Sequence, residues 1–141
     1  MSTLNFPDSN VWLALVWERH IHSEKAREWF EHEAEAQFFF CRFTQLTLLR
    51  LLTTEAVLGK DTLTMSAAWD IWDKAWADPR ISLLGEPEGL ETEFRSRSQF
   101  SSASPKVWAD AYLMAFATAA GLKLVTFDRA LKSRGVDVLV L

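Results

Sequence analysis

The fold is indicated most clearly by residues 105–128, which read PKVWADAYLMAFATAAGLKLVTFD. The pattern predicts a helix from Pro105 to Ala120, because proline is favoured in a first helical turn and Gly121 is a typical residue after a last one. Residues 123–126 form a short apolar run of strand length. A helix that leads directly into such a strand is part of a β–α–β unit, so a parallel sheet covered by helices is expected.

The rest of the chain repeats this alternation of short apolar runs and longer amphipathic ones. Strands are also predicted at 4–6, 37–41, 81–84 and 136–141, and helices at 9–17, 22–32, 44–58, 64–77 and 88–94. The five serines within residues 95–104 predict a loop. Trp69, Trp72 and Trp76 recur at helical spacing and are expected to pack in the core. We therefore expect an α/β fold, a three-layer α/β/α sandwich with a central, mainly parallel five-stranded sheet.

The composition is typical of an ordinary globular protein. The 141 residues are 49% hydrophobic and 24% charged, which favours a single domain over residues 1–141. No stretch approaches the roughly 20 apolar residues that a membrane-spanning helix needs, and no signal peptide is evident. The single cysteine, Cys41, is expected to be a buried free thiol. These features predict a cytoplasmic protein without membrane contact.

Charge is distributed unevenly along the chain. Between Arg95 and Arg134 lie seven basic residues and two acids, so this segment carries +5. The net charge is −4, which leaves −9 on the remainder. Such an asymmetry suits a surface that follows phosphate groups beside an acidic site, although a chance cluster on solvated faces would give the same pattern.

Three aspartates are candidates for chemistry. Asp8 follows the first predicted strand and Asp128 follows the strand at 123–126, and functional groups in open α/β sheets gather at the carboxyl ends of strands. Asp110 lies in an apolar helical stretch, where burying an unpaired carboxylate is costly. Three neighbouring carboxylates would repel unless a cation lay among them. Mg²⁺ prefers such oxygen ligands and can activate a water for attack on phosphorus.

Each of these aspartates also has a structural interpretation. Asp8 and Asp128 could be N-caps of the helix and the turn that follow them, and Asp110 could be purely structural. His20 and His22 fit a solvated helix junction better than a metal site. A signalling receiver would need an acceptor aspartate at the end of its third strand, and residues 81–85 offer none.

Four segments resemble the PIN-domain family, particularly the VapC-type toxins of bacterial toxin–antitoxin pairs. They are FPDSNVW at 6–12, TQLTLLRLL at 44–52, DAYL at 110–113 and LVTFD at 124–128, in the order found in the family. The resemblance implies a Mg²⁺- or Mn²⁺-dependent endoribonuclease, inhibited by a cognate antitoxin and usually homodimeric. It makes Asp8 and Asp110 the metal ligands, and it adds Asp128 to the catalytic acids.

The same resemblance assigns supporting roles and exposes one departure. Asn10 would orient Asp8 or a water, and Thr126 would support the site through its hydroxyl. Many relatives place a glutamate where this chain has Thr47, and Gln45 is the nearest side chain of comparable reach. Either residue could position a metal-bound water, but neither supplies charge. The alternative is therefore a PIN-fold binding module with weak or no catalysis.

Contacts to other molecules can also be predicted. Lys106, Arg129 and either Arg95 or Arg97 are expected to contact RNA phosphates. Trp108, close to Asp110, is the best candidate for stacking on a base. An apolar patch for the antitoxin is expected to include Trp12, Trp17 and Trp29.

Overall fold

The computed structural model describes residues 2–141, apart from the side chain of Ser133, and this range contains one five-stranded sheet. The strands are β1 (Leu4–Pro7), β2 (Gln37–Cys41), β3 (Ile81–Leu84), β4 (Lys123–Thr126) and β5 (Val138–Val140). They lie in the order β3-β2-β1-β4-β5, and every pairing is parallel. The predicted class and strand number are confirmed.

Helices cover both faces of this sheet. In chain order they are α1 (Ser9–Val16), α2 (Ser23–His32), α3 (Arg42–Leu52), α4 (Glu55–Leu58), α5 (Met65–Trp76), α6 (Leu90–Arg97) and α7 (Val107–Ala120). Short 3₁₀ helices occupy Gly59–Asp61 and Arg129–Ser133. Helices α1, α2, α3 and α5 pack on one face, and α6 and α7 pack on the other. No helix within residues 2–141 combines the length and apolarity needed to cross a bilayer.

The two layers of helices enclose two separate apolar clusters, because successive strand residues point to opposite faces. On the α7 side, Phe6 stacks on Phe116 with ring centroids 4.9 Å apart. On the α1 side, Trp12 stacks on Phe40 at 3.8 Å. Cys41 is buried as a free thiol, as predicted. The sheet is therefore covered on both faces, as a parallel sheet requires.

Several predicted element boundaries differ from the structure, and two of the differences have a cause in side-chain contacts. The helix predicted at 44–58 is interrupted after Leu52, because the hydroxyls of Thr53 and Thr54 donate to carbonyls of the preceding turn and compete with the helical pattern. The loop predicted from Arg95 begins later, because α6 continues to Arg97. Ion pairs between residues four apart, Glu91 with Arg95 and Glu93 with Arg97, support this extension.

Only one of the three tryptophans of α5 is buried. Trp72 is 8% exposed, whereas Trp69 and Trp76 are 48% and 46% exposed. The buried face of α5 is centred on Ala68 and Trp72, so the other two rings lie at its edge. The prediction of core packing is therefore confirmed for Trp72 and wrong for Trp69 and Trp76.

Arg80, just before β3, connects three parts of the fold. Its Nη1 donates to the carbonyl oxygens of Phe30 (3.0 Å) and Glu33 (3.1 Å) at the end of α2. Its Nη2 forms an ion pair with Asp78 at 2.9 Å, and the guanidinium lies 4.0 Å from the centroid of the Phe30 ring. Arg80 thus satisfies carbonyls that the end of a helix leaves unpaired and attaches α2 to the sheet.

Candidate active site

Asp8 lies where β1 ends and α1 begins. Its N–H donates to the carbonyl oxygen of Val125 at 2.9 Å, which fixes it to the neighbouring strand β4. Oδ1 accepts the N–H of Val11 at 3.0 Å and so caps α1. Oδ2 accepts the hydroxyl of Thr126 at 2.6 Å. The helix cap considered from the sequence exists, but it uses only one of the two carboxylate oxygens.

Thr126 is completely buried and connects two of the predicted acids. Its Oγ1 donates to Asp8 and accepts the N–H of Asp128 at 3.0 Å, which uses both functions of the hydroxyl. The carboxylate of Asp128 accepts the N–H of Ala130 at 2.9 Å and caps the 3₁₀ helix. Asp8 and Asp128 are therefore held at the same sheet edge through one side chain.

Asp110 lies in the first turn of α7 and is partly exposed. Burial and the charge of Asp128 raise the pKa of Asp110, and Arg134 acts in the opposite direction. Within residues 2–141, no hydrogen bond or ion pair is formed by its carboxylate. A carboxylate that lies near another carboxylate and accepts no hydrogen bond is a candidate ligand for a cation, because a cation would relieve the repulsion.

The pKa of Asp8 is also raised, chiefly by burial and in smaller part by Asp110. Hydrogen bonds from Thr126 and from the N–H groups of Val11 and Asn10 lower it, but they do not offset the burial. Asp110 therefore interacts electrostatically with both other acids. Without a cation, the surroundings of Asp8 and Asp110 therefore favour the protonated form of these two carboxyl groups.

The donor set fits a hard divalent cation, with solvent completing the shell. In the described part of the chain, no three His, Cys, Asp or Glu side chains gather closely enough to hold a metal ion. The three acids thus do not form a closed ligand set, and the pair Asp8 and Asp110 remains. A carboxylate offers about four lone-pair positions, and Asp8 uses three of them in hydrogen bonds from Val11, Thr126 and Asn10. Mg²⁺ typically binds one or two carboxylates and keeps several waters.

Two of the predicted supporting residues, Asn10 and Gln45, have other side-chain hydrogen-bond partners, unlike Thr126. The side-chain oxygen of Asn10 contacts Nε2 of His20 at 2.9 Å, and only its backbone N–H faces Asp8. Gln45 is buried, and its Oε1 accepts from Nη1 of Arg42. Thr47 is half-buried on α3. Across residues 2–141, no hydrogen bond joins Gln45 or Thr47 to the acids.

His20 and His22 pack beside the site, which the sequence did not reveal. Their rings lie 5.9 Å and 4.5 Å from the ring of Phe127, the residue before Asp128. Nδ1 of His20 accepts the N–H of His22 at 3.0 Å, so in the neutral ring Nε2 carries the proton and donates to Asn10. Burial and then His22 lower the pKa of His20, which favours this neutral form. These residues lie in a partly exposed turn between α1 and α2, as predicted, and their packing against Phe127 is the feature that the sequence did not show.

The predicted phosphate-contacting residues differ in availability. Lys106 and Arg129 are exposed, and Arg95 is exposed in its pair with Glu91. Arg97 is largely buried and donates to Glu93, to the carbonyl oxygen of Arg134 and to Thr118. Arg97 therefore ties α6 to α7 and to the 3₁₀ helix, which leaves its guanidinium little capacity for a phosphate.

A groove of about 210 Å³ lies between α1, α2 and α5. Trp12, Leu15, Val16, Phe30, Ala75 and Ile81 give it an apolar lining, and Arg27, Glu31, Lys74 and Asp78 add charge. Of the three tryptophans predicted for an apolar patch, only Trp12 lines this groove. Its indole Nε1 is buried without a hydrogen-bond partner in residues 2–141. Trp17 instead donates to Asp61.

The parallel sheet and the acids at its edge define a PIN-type α/β protein. The model of the PIN domain family matches residues 6–136, and the chain belongs to this family. Ribonuclease VapC41 of Mycobacterium tuberculosis is 44% identical over 133 residues, which cover 91% of each chain. The resemblance to VapC proteins inferred from the sequence is confirmed.

Solved structures share the fold at low sequence identity. VapBC2 from Rickettsia felis, bound to a DNA fragment from its promoter, gives a TM-score of 0.69 at 10% identity and covers 97% of this chain and 98% of that chain. VapC20 of M. tuberculosis, described as a sarcin–ricin loop cleaving toxin, gives 0.67 at 15% identity and covers 94% and 95%. These similarities support the architecture alone.

Proposed function

We propose that this protein is a metal-dependent endoribonuclease and the toxin of a VapBC-type toxin–antitoxin pair. The main supporting observation is that Thr126 holds Asp8 and Asp128 at one edge of the sheet, where Asp110 acts on both: it raises the pKa of Asp8, and its own pKa is raised by Asp128. The 44% identity to Ribonuclease VapC41 supports RNA as the substrate. Mg²⁺ or Mn²⁺ is the cofactor that such carboxylates favour.

Different residues of the chain would have different roles in phosphodiester hydrolysis. A bound Mg²⁺ or Mn²⁺ would supply Lewis acidity and lower the pKa of a coordinated water. Asp8 and Asp110 would hold it, and Thr126 keeps the Asp8 carboxylate in one orientation. Asp128 adds negative charge beside Asp110. Lys106, Arg129 and Arg95 are the exposed cations that would contact RNA phosphates.

The test is cleavage of RNA by the purified chain with Mg²⁺ or Mn²⁺ and with EDTA. Asp8→Asn and Asp110→Asn are expected to abolish cleavage while circular dichroism shows an unchanged fold. Asp73→Asn, at an exposed acid on α5, is the matched control and should cleave normally. Cleavage retained by both site variants would contradict the proposal. Sequencing the RNA ends would then identify the bond that the wild-type chain cuts.

A non-catalytic PIN-fold binding module is the second candidate. It is favoured by the absence of a glutamate at Thr47 and by the engagement of Gln45 with Arg42. Titration calorimetry with Mn²⁺ near neutral pH separates the two candidates, because a module without a metal site would show no binding. Under the nuclease proposal, Thr47→Glu is expected to strengthen Mn²⁺ binding, since it adds the missing charge.

The groove between α1, α2 and α5 is the surface we propose for the antitoxin. It combines an apolar floor with the charged side chains of Arg27, Glu31, Lys74 and Asp78, which offer a partner both apolar and ionic contacts. Leu15→Glu should abolish inhibition by the cognate antitoxin and leave RNA cleavage unchanged. The homodimer expected from the resemblance is to be measured by light scattering, and the cytoplasmic location stays a prediction.

A further inference from the structure

A second cleft, of about 290 Å³, lies between the end of α6 and the start of α7. Two aromatic side chains line it, Phe100 and Trp108, and they are 52% and 59% exposed. Large aromatic rings normally bury most of their surface, so two exposed rings in one cleft indicate a surface that binds something. The hydroxyl-bearing residues Ser102 and Ser104 also line the cleft.

Trp108 is held in place by other rings. It meets Phe94 edge-to-face with centroids 6.0 Å apart, and Phe94 meets Tyr112 at 5.8 Å. Tyr112 contacts Phe116 in the core at 6.1 Å. This connected set of rings restricts Trp108 before any ligand arrives, which reduces the entropy that binding would cost.

The cleft and the acids lie on different sides of α7. Trp108 and Asp110 are two residues apart in the first turn of α7, so they differ by about 3 Å along the helix axis and by about 200° around it. Their side chains therefore point in nearly opposite directions. An RNA whose phosphate lies at the acids would have to pass the N-terminus of α7 before one of its bases reached Trp108.

The surrounding charge suits a polyanion. The cleft lies within the segment from Arg95 to Arg134, which carries +5. Lys106, exposed at the start of α7, lies between the lining residues Pro105 and Val107, whereas Arg95, near the end of α6, is paired with Glu91. Cations next to an exposed aromatic face are the combination that binds single-stranded nucleic acids.

We propose that this cleft binds an unpaired nucleobase of the RNA, stacked on Trp108, outside the site where the phosphodiester is cut. This inference rests on the proposed ribonuclease function and gives it a substrate class. The substrate is single-stranded or looped RNA, because bases inside a continuous duplex are stacked on each other and do not offer a free face. A protein segment is a weaker fit to a basic surface beside a nuclease site.

The test measures binding of a labelled single-stranded oligoribonucleotide to the Asp8→Asn variant, which leaves the probe intact. Adding Trp108→Ala should weaken binding about 5- to 100-fold, the loss expected for one base–aromatic stack. Trp108→Phe should restore most of it. Trp69→Ala, which removes a similarly exposed indole from the opposite layer, is the matched control and should bind like the parent. An abasic ribose–phosphate oligomer should bind equally with and without Trp108.

Affinity for the single strand within about twofold of the parent after Trp108→Ala would overturn the inference. Loss of antitoxin binding with unchanged RNA binding would do the same, because the cleft would then be a protein site. The two proposals fail separately. A wild-type chain that does not cleave RNA refutes the nuclease, whereas cleavage and binding that ignore Trp108 refute only the cleft.

Discussion

Replacing Thr126 with valine tests the central hydrogen bonds of the site. Valine has nearly the shape of threonine but neither donates to Asp8 nor accepts from Asp128. A hydrogen bond to a charged group contributes about 1.5–3 kcal/mol and a neutral one about 0.5–1.5 kcal/mol. The added apolar burial regains roughly 0.8 kcal/mol. The variant should therefore be destabilised by about 1–4 kcal/mol at neutral pH, measured by urea denaturation in EDTA.

The sign of the pH dependence follows from Asp8. The Thr126 hydroxyl lowers the pKa of Asp8, so its loss raises that pKa further. Between the two folded pKa values the variant binds more protons than the wild type, and the stability difference grows as pH rises through this window. It should shrink in acid, where both proteins carry a protonated Asp8. Thr126→Ser, which keeps the hydroxyl, is the control and should follow the wild type.

Metal affinity gives a second measurement. Removing a residue that orients a ligand typically weakens binding about 10- to 100-fold, and the higher pKa adds to the loss because a ligand carboxylate must be deprotonated. Titration calorimetry with Mn²⁺ should show this for Thr126→Val and not for Thr126→Ser. Wild-type affinity in the valine variant, with an unchanged pH dependence, would refute the reasoning.

Three further predictions concern other parts of the molecule. Arg80→Ala should lower the free energy of unfolding, measured by urea denaturation, by about 2–4 kcal/mol, because it leaves two helix carbonyls unpaired. Arg95→Ala breaks an ion pair that is shorter but whose arginine is 74% exposed, so it should lower the free energy of unfolding by at most about 0.5 kcal/mol. Equal losses would contradict the argument from burial. Because the pKa of Asp110 is raised, the metal-free protein gains stability as the pH falls through that pKa. Asp110→Asn should therefore be more stable than wild type at neutral pH, and its free energy of unfolding should depend less on pH. A less stable variant would show that the surroundings do not destabilise the charged carboxylate. His20→Ala should lower kcat about 2- to 10-fold with little change in KM, because Asn10 loses one hydrogen bond that positions it. His20→Gln should restore kcat, since glutamine can donate to Asn10. Identical kinetics of the wild type and His20→Ala would show that His20 does not act on the site.

The strands were predictable because each is a short apolar run bounded by turn residues. Residues 37–41, 81–84 and 123–126 match the structure at both ends. The break after Leu52 was not, since it depends on two threonine hydroxyls that turn back onto the helix. The exposure of Trp69 was missed because helical spacing identifies a stripe but not which of its edges meets the sheet.

The candidate site was predictable to the extent that topology determines it. Asp8 and Asp128 follow adjacent parallel strands, so their proximity follows from strand order. The packing of His20 against Phe127 joins residues far apart in the chain, and no local pattern encodes it. Arg97 was misjudged for a related reason, because its partners Arg134 and Thr118 come from other elements.

The backbone hydrogen bond from Asp8 to Val125 has a consequence for inhibition. β1 and β4 each have a neighbouring strand on both sides, and amides of such inner strands exchange with solvent only when most of the molecule opens. The position of Asp8 is therefore fixed before any ion or RNA arrives. Under the proposed function, an inhibitor that displaced Asp8 would have to open the inner strands of the sheet. Covering the acids is the route of lower energetic cost.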